Sequence, residues 1–201
     1  MFTDLLNLPQ EFSDRATVQD QVLSIAGMTW ADYEQLTEGE NSAFRASYFN
    51  GIITIVSPSR NHERIAEIIN GLIKTYCRKY NLAYFPMGST TLKNPPKSGK
   101  EPDHSFAFKT DKSHPDLAIE VNYTSGSIVD LEKYLYLGIK EVWMWKDEVI
   151  TFYYLVDSEY REVENSVCLP KLSAAFLIAF VSRGLTETPL TIEEDFYRQL
   201  N

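Results

Sequence analysis

Residues 101–133, EPDHSFAFKTDKSHPDLAIEVNYTSGSIVDLEK, hold two strand-like apolar runs followed by the start of a helix. Side chains alternate faces along a strand. In PDLAIEVN (115–122), Leu117, Ile119 and Val121 share one face, and Asp116, Ala118, Glu120 and Asn122 share the other. Glu120 therefore sits mid-strand between two aliphatic residues. An unpaired carboxylate there is costly to bury, so a metal ion, a cation or a raised pKa must compensate. In EPDHSFAF (101–108), Asp103, Ser105 and Ala107 share one face, and His104, Phe106 and Phe108 the other. The short interval between Phe108 and Glu120 allows a turn and an antiparallel return, which would set Asp103 and Glu120 on one sheet surface. Two hard oxygen donors with open positions suit Mg²⁺, which keeps several waters and takes one or two carboxylates. Lys133 falls on the next helix, three residues after Asp130 and off the expected core stripe of Ile128, Leu131 and Leu135. An ammonium placed there can orient a water or stabilise charge building on a phosphoryl oxygen.

Working outward, the chain reads as alternating helices and strands. Thr29 is a plausible N-cap for a helix running through TWADYEQL. YFNGIITIV (48–56) predicts a hairpin turning at Asn50-Gly51. Residues 61–80 carry Ile65, Ile68, Ile69, Leu72, Ile73, Tyr76 and Tyr80 at helical spacing. Residues 82–91 read as a strand, and KNPPKSGKEP (93–102) as a loop. Ser127 with Asp130 resembles a capping box for a helix ending near Leu137, and Gly138 suits its stop. Residues 141–145 and 149–155 flank Asp147-Glu148 as a hairpin, and SAAFLIAFVSR (173–183) reads as a last helix. The expected fold is α/β, one central mixed sheet flanked by helices. Residues 1–27 read as a helical or irregular extension, 28–190 as the domain, and 191–201 as a tail.

Composition narrows the function classes. The chain has 201 residues, 44% of them hydrophobic, which suits one globular domain. No apolar run approaches the ~18 residues of a membrane span. The acidic N-terminus MFTDLLNLPQEFSD lacks the basic start of a secretory signal, so a cytoplasmic protein is expected. Two cysteines, Cys77 and Cys168, form no CxxC pair; a zinc cluster is disfavoured, and a buried thiol is the reading for Cys77. The net charge of −9 argues against a protein that coats nucleic acid non-specifically. Residues 93–112 nevertheless carry Lys93, Lys97, Lys100, Lys109 and Lys112 against three carboxylates. These lysines are either a basic rim beside an acidic site or a solvated loop.

The order Asp103, then Glu120 after an apolar strand, then a helical lysine, resembles the PD-(D/E)XK nuclease superfamily. More closely, NGIITIVSPSRNH, EPD, PDLAIEVN and DLEKYLYLGIKEVWMW, in that order, resemble the small restriction endonucleases of the Uma type. The match spans roughly residues 30–184. It implies a restriction-endonuclease-like fold and Mg²⁺-dependent hydrolysis of DNA phosphodiesters, with Mn²⁺ able to substitute. It also implies that Asp103 and Glu120 hold the metal, with Lys133 as the catalytic lysine. Two positions depart from the superfamily pattern. Asn122 stands where the superfamily lysine would fall, two residues after Glu120, and Uma-type members carry the lysine on the following helix instead. Ser47 stands where members often have a glutamate, four residues before the hairpin glycine.

Each residue has a plainer reading. Glu120 could form a structural ion pair, with Lys133 as one candidate partner. Asp103 could cap a turn after Pro102, and Lys133 could be a solvated helix residue. His62, at the start of the long helix, could cap it or contact phosphate. Asp116 suits a turn, His104 a structural role and His114 solvent. Trp143 and Trp145 suit a core or an interface. The rival to a nuclease is a weakened or inactive nuclease-like domain that binds DNA or a protein partner. A plain α/β interaction domain is the third reading, and it leaves Glu120 unexplained. A homodimer is expected if two strands are cut with one site per chain.

Overall fold

The computed structural model describes residues 19–38, 44–122 and 129–200. Two sheets and five α-helices build it. The first sheet has strand order β1-β3-β2-β6-β5 and is wholly antiparallel, with β1 Gln21–Ala26, β2 Arg45–Phe49, β3 Ile52–Ser57, β5 Leu92–Asn94 and β6 Ser98–Lys100. The second has order β11-β10-β9-β8-β7-β4, with β4 Tyr84–Pro86, β7 His104–Phe108, β8 Leu117–Asn122, β9 Glu141–Lys146, β10 Val149–Val156 and β11 Glu159–Val163. Its one parallel pair is β8–β9, joined by helix α3, Val129–Leu137. The remaining helices are α1 Trp30–Thr37, α2 Arg60–Lys79, α4 Ala174–Val181 and α5 Pro189–Gln199.

Local chemistry explains the element boundaries. Thr29 and Asp32 close a reciprocal capping box on α1. Ser59 caps α2 by accepting from the His62 amide. Asn50 and Gly51 both take positive φ, 47° and 78°, the backbone of the tight hairpin between β2 and β3. Asp147 and Glu148 do the same between β9 and β10.

The six-stranded sheet is covered on both faces. Ile65, Ile69, Leu72 and Tyr76 of α2, with Leu177 and Phe180 of α4 and Ile192 and Phe196 of α5, pack against Leu117, Ile119 and Val121 of β8. Trp143 and Trp145 belong to the same core. The opposite face carries Ala118, Val142 and Met144 beneath Leu131, Tyr134 and Leu137 of α3. Helix α3 also meets the first sheet, where Ser98 Oγ donates to the Lys133 carbonyl at 3.1 Å and Phe49 packs on Tyr136. It is thus wedged between the two sheets.

The expected α/β fold with a central mixed sheet flanked by helices is present as the six-stranded sheet, and the second, antiparallel sheet is additional to it. Several sequence expectations are corrected. Gln21–Ala26, read as extension, is an edge strand paired along β3. The 93–102 loop contains the β5–β6 hairpin, and only Tyr84–Pro86 of residues 82–91 is strand. Residues assigned to a C-terminal tail form most of α5, which buries Ile192 and Phe196. β11 also had no sequence signal strong enough to be read. The stripe of α3 is Leu131, Tyr134 and Leu137 rather than one through Leu135, and Lys133 is 6% exposed rather than solvated. Ile128 and the Ser127 capping box lie outside the described residues. No helix among the described residues is long and apolar enough to cross a membrane.

Candidate active site

Strand alternation sets this site. β7 and β8 pair antiparallel with His104 opposite Ile119, and the Asp103 amide donates to the Ile119 carbonyl at 3.0 Å. Asp103 and Glu120 therefore stand side by side on the face away from the α2 core. His104 points to the other face and meets Glu67 of α2. Asp103, Glu120, Lys133, His62, Asn122 and Ser47 all line one cavity of about 390 Å³. Its far wall comes from the first sheet, through Val22, Phe49, Ile52 and Val56.

Asp103 is 4% exposed and held from three directions. His62 Nε2 donates to Oδ1 at 2.9 Å, the Val121 amide donates to Oδ2 at 2.6 Å, and Arg45 Nη1 lies 3.2 Å from Oδ1. That Arg45 contact is an ion pair without hydrogen-bond geometry, because Nη1 has no hydrogen-bond partner among the described atoms. Burial by itself would raise the Asp103 pKa, but the His62 and Arg45 charges outweigh it and hold the carboxyl well below its usual range. The other ring nitrogen of His62 faces Asp20 Oδ2 at 3.1 Å. Burial disfavours the imidazolium, but Asp103 and then Asp20 overcome this and push its pKa up to about 10.

Glu120 is also 4% exposed. Lys100 Nζ lies 2.9 Å from Oε2, and the Tyr134 hydroxyl donates to Oε1. Burial pushes this carboxyl up to about 7; Lys100 opposes the shift, while the Asp103 and Asp130 charges add to it. Lys133 Nζ donates to Asp130 Oδ1 at 2.8 Å and to Ser47 Oγ at 2.9 Å. Burial lowers its pKa, and the neighbouring Lys100 charge lowers it further. The structural ion pair considered for Glu120 therefore exists, but its cation is Lys100.

Sequence reading missed Arg45, Lys100, Asp20, Asp130 and Tyr134 as members of this cluster. Lys100 was visible only as one of five lysines in a basic window, and it alone of the five lines the cavity. Lys112 instead pairs with Asp116, while Lys93 and Lys97 lie over the rings of Tyr33 and Tyr136. Asp116 fills its expected turn role by accepting from the Phe108 amide. His114 is exposed, and Cys77 is buried.

Two carboxylates facing one cavity are the hard-oxygen donors that a divalent cation takes. Among the described residues, no group of three or more His, Cys, Asp and Glu side chains is arranged to hold a metal. Mg²⁺ does not require such a group, since water and substrate oxygens complete its shell. The donor chemistry thus fits the ion, with both carboxylates already paired to protein cations.

The sequence matches the family Uma2, described as "Putative restriction endonuclease", over residues 30–182. Among solved structures the fold is similar to a "putative nuclease belonging to DUF820" from Anabaena variabilis ATCC 29413. That likeness has a TM-score of 0.53 at 16% identity and covers 77% of this chain and 99% of the other. No curated protein matches the sequence.

Proposed function

Because the chain belongs to the Uma2 family, we propose that it is a Mg²⁺-dependent endonuclease that hydrolyses DNA phosphodiesters at the Asp103–Glu120–Lys133 cluster. The observation carrying this reading is that two buried carboxylates, Glu120 on β8 and Asp103 immediately before β7, line one cavity with a buried lysine. Asp103 and Glu120 would hold the ion, which when bound lowers the pKa of a water and neutralises charge on the phosphate.

The protein groups have separate tasks. His62 and Arg45 keep Asp103 ionised and fix its orientation. Tyr134 fixes Glu120 from below. Lys133 is pinned by Asp130 and Ser47, so its ammonium is placed in advance to stabilise negative charge on a phosphoryl oxygen. Arg45 adds a second cation on the Asp103 side of the cavity. The test is cleavage of supercoiled plasmid and branched DNA with Mg²⁺ or Mn²⁺. Asp103→Asn, Glu120→Gln and Lys133→Met should each reduce the rate by about 100-fold or more. Equal cleavage by the wild type and all three variants would assign the activity to a contaminant or to another site.

A second reading is a nuclease-like domain that binds DNA or a protein partner without cutting. It draws support from Ser47, a hydroxyl in the cavity wall, and from the pairing of both carboxylates with protein cations. Retained DNA binding without turnover in either metal would select it. A homodimer and a cytoplasmic location belong to the same proposal. The free thiols Cys77 and Cys168 are consistent with a reducing compartment.

A further inference from the structure

The cavity already holds protein cations against its carboxylates. Four carboxylates line it, Glu101, Asp103, Glu120 and Asp130, and they face Arg45, His62, Lys100 and Lys133. Every oxygen of the two central carboxylates has a donor or a cation against it. For Asp103 these are His62, Arg45 and the Val121 amide; for Glu120 they are Tyr134 and Lys100. Of these partners, Lys100 is the one set to act as a cation in place of a metal. Its side chain is 11% exposed, and its Nζ lies between Glu120 Oε2 at 2.9 Å and Asp130 Oδ1 at 3.9 Å. It is also placed by backbone pairing, since Lys100 on β6 is in register with Ser47 on β2. Ser47 in turn receives the second lysine of the cluster, Lys133. Both ammonium groups therefore enter the cavity from the side that Glu120 faces.

We propose that the Lys100 ammonium is a built-in cation that fills the Glu120 side of the metal site, so that a divalent ion binds only by displacing it. The proposal rests on the reading of Asp103 and Glu120 as the metal carboxylates. Its physical basis is competition for one buried carboxylate. A group that already neutralises Glu120 in a low-dielectric cavity raises the cost of bringing in a second cation, and the displaced ammonium must find another acceptor. Asp130 Oδ1, 3.9 Å from Nζ, is one such acceptor. Lys100 thereby sets the metal concentration at which the site loads.

The test is Mn²⁺ binding by titration calorimetry to the full chain. Lys100→Met keeps the length of the side chain and removes its charge. It should bind Mn²⁺ about tenfold or more tightly than the wild type. Lys100→Arg keeps the charge and should bind no more tightly than the wild type. Adding Glu120→Gln to Lys100→Met should abolish the gain. Thermal midpoints with and without Mn²⁺ supply a second readout. Lys100→Met leaves Glu120 buried without its cation, so it should melt lower than the wild type without metal and rise further on adding Mn²⁺. Equal Mn²⁺ affinity in the wild type and Lys100→Met, lost in Glu120→Gln, would overturn this inference and leave the metal site standing. Binding untouched by Glu120→Gln and Asp103→Asn would place the ion elsewhere and overturn both. A Lys100→Met chain that stays unfolded at saturating Mn²⁺ would also overturn it.

Discussion

His62 Nε2 lies 2.9 Å from Asp103 Oδ1, while the opposite ring nitrogen faces Asp20. One buried imidazolium therefore joins the start of α2 to the edge strand region and to the site carboxylate. His62→Gln removes the cation between two buried acids and leaves them facing each other. Loss of one partner from a buried ion pair costs about 3–5 kcal/mol. Urea denaturation should show a drop in that range, and adding Asp20→Asn should recover part of it. A loss below about 1 kcal/mol would show that the triad contributes little to stability.

Tyr134→Phe tests the support beneath Glu120. The ring of Tyr134 is fully buried and packs in the α3 core, so Phe keeps the packing and removes only the hydroxyl donor. A hydrogen bond to a charged group is worth about 1.5–3 kcal/mol. Cleavage should fall by roughly 10–100-fold, with the fold intact by circular dichroism. Unchanged turnover would remove Tyr134 from any part in positioning Glu120.

Gly99 and Gly138 should respond differently to alanine. A Cβ on Gly99 would lie 2.2 Å from Tyr33 Cε1, and Tyr33 is fully buried. Overpacking there should cost about 1–3 kcal/mol. Because Gly99 precedes Lys100 on β6, Gly99→Ala should also disturb the site. At Gly138 nothing lies within 4 Å of the added Cβ, and φ is +69°. Only backbone strain opposes Gly138→Ala, and activity should survive a stability loss of about 1 kcal/mol. Thermal melts and cleavage rates of the two variants provide the comparison.

Both thiols should be slow to alkylate in the native protein. Burial pushes the Cys77 thiol up to about 12. Burial, then the charge of Glu141, pushes Cys168 higher still. A raised pKa lowers the thiolate fraction, which is the reactive form. Mass spectrometry after iodoacetamide treatment at neutral pH should show little labelling until denaturant is added. Prompt labelling of Cys77 under native conditions would contradict its burial.

Much of the architecture was legible because it depends on near neighbours in the chain. The 61–80 helix, the Asn50-Gly51 hairpin and the Thr29 cap follow from periodicity, turn chemistry and a capping hydroxyl. Less legible were β5 and β6, only three residues each within a Lys- and Pro-rich run. β1 pairs with a strand some 30 residues away, and α5 follows a tight 3₁₀ turn at Ser182–Leu185. Such elements are stabilised by partners distant in sequence, which no local window contains.

The same division holds for the site. Alternation in PDLAIEVN put Glu120 on the polar side of a buried strand, and the 101–108 run put Asp103 on the matching face; both assignments depend only on a period of two. Chain order alone also required that Glu120 have a cation or an equivalent, because burial of a bare carboxylate is too costly. Which cation it has was decided by tertiary structure. Lys133 is near Glu120 in sequence, but the wedge of α3 between the two sheets turns its ammonium toward Ser47 and Asp130. Lys100, on a separate hairpin, reaches Glu120 because β6 pairs with β2 in the sheet that forms the other wall of the cavity. Alternation fixes which face a side chain leaves, whereas the partner it meets there depends on how the two sheets close around α3.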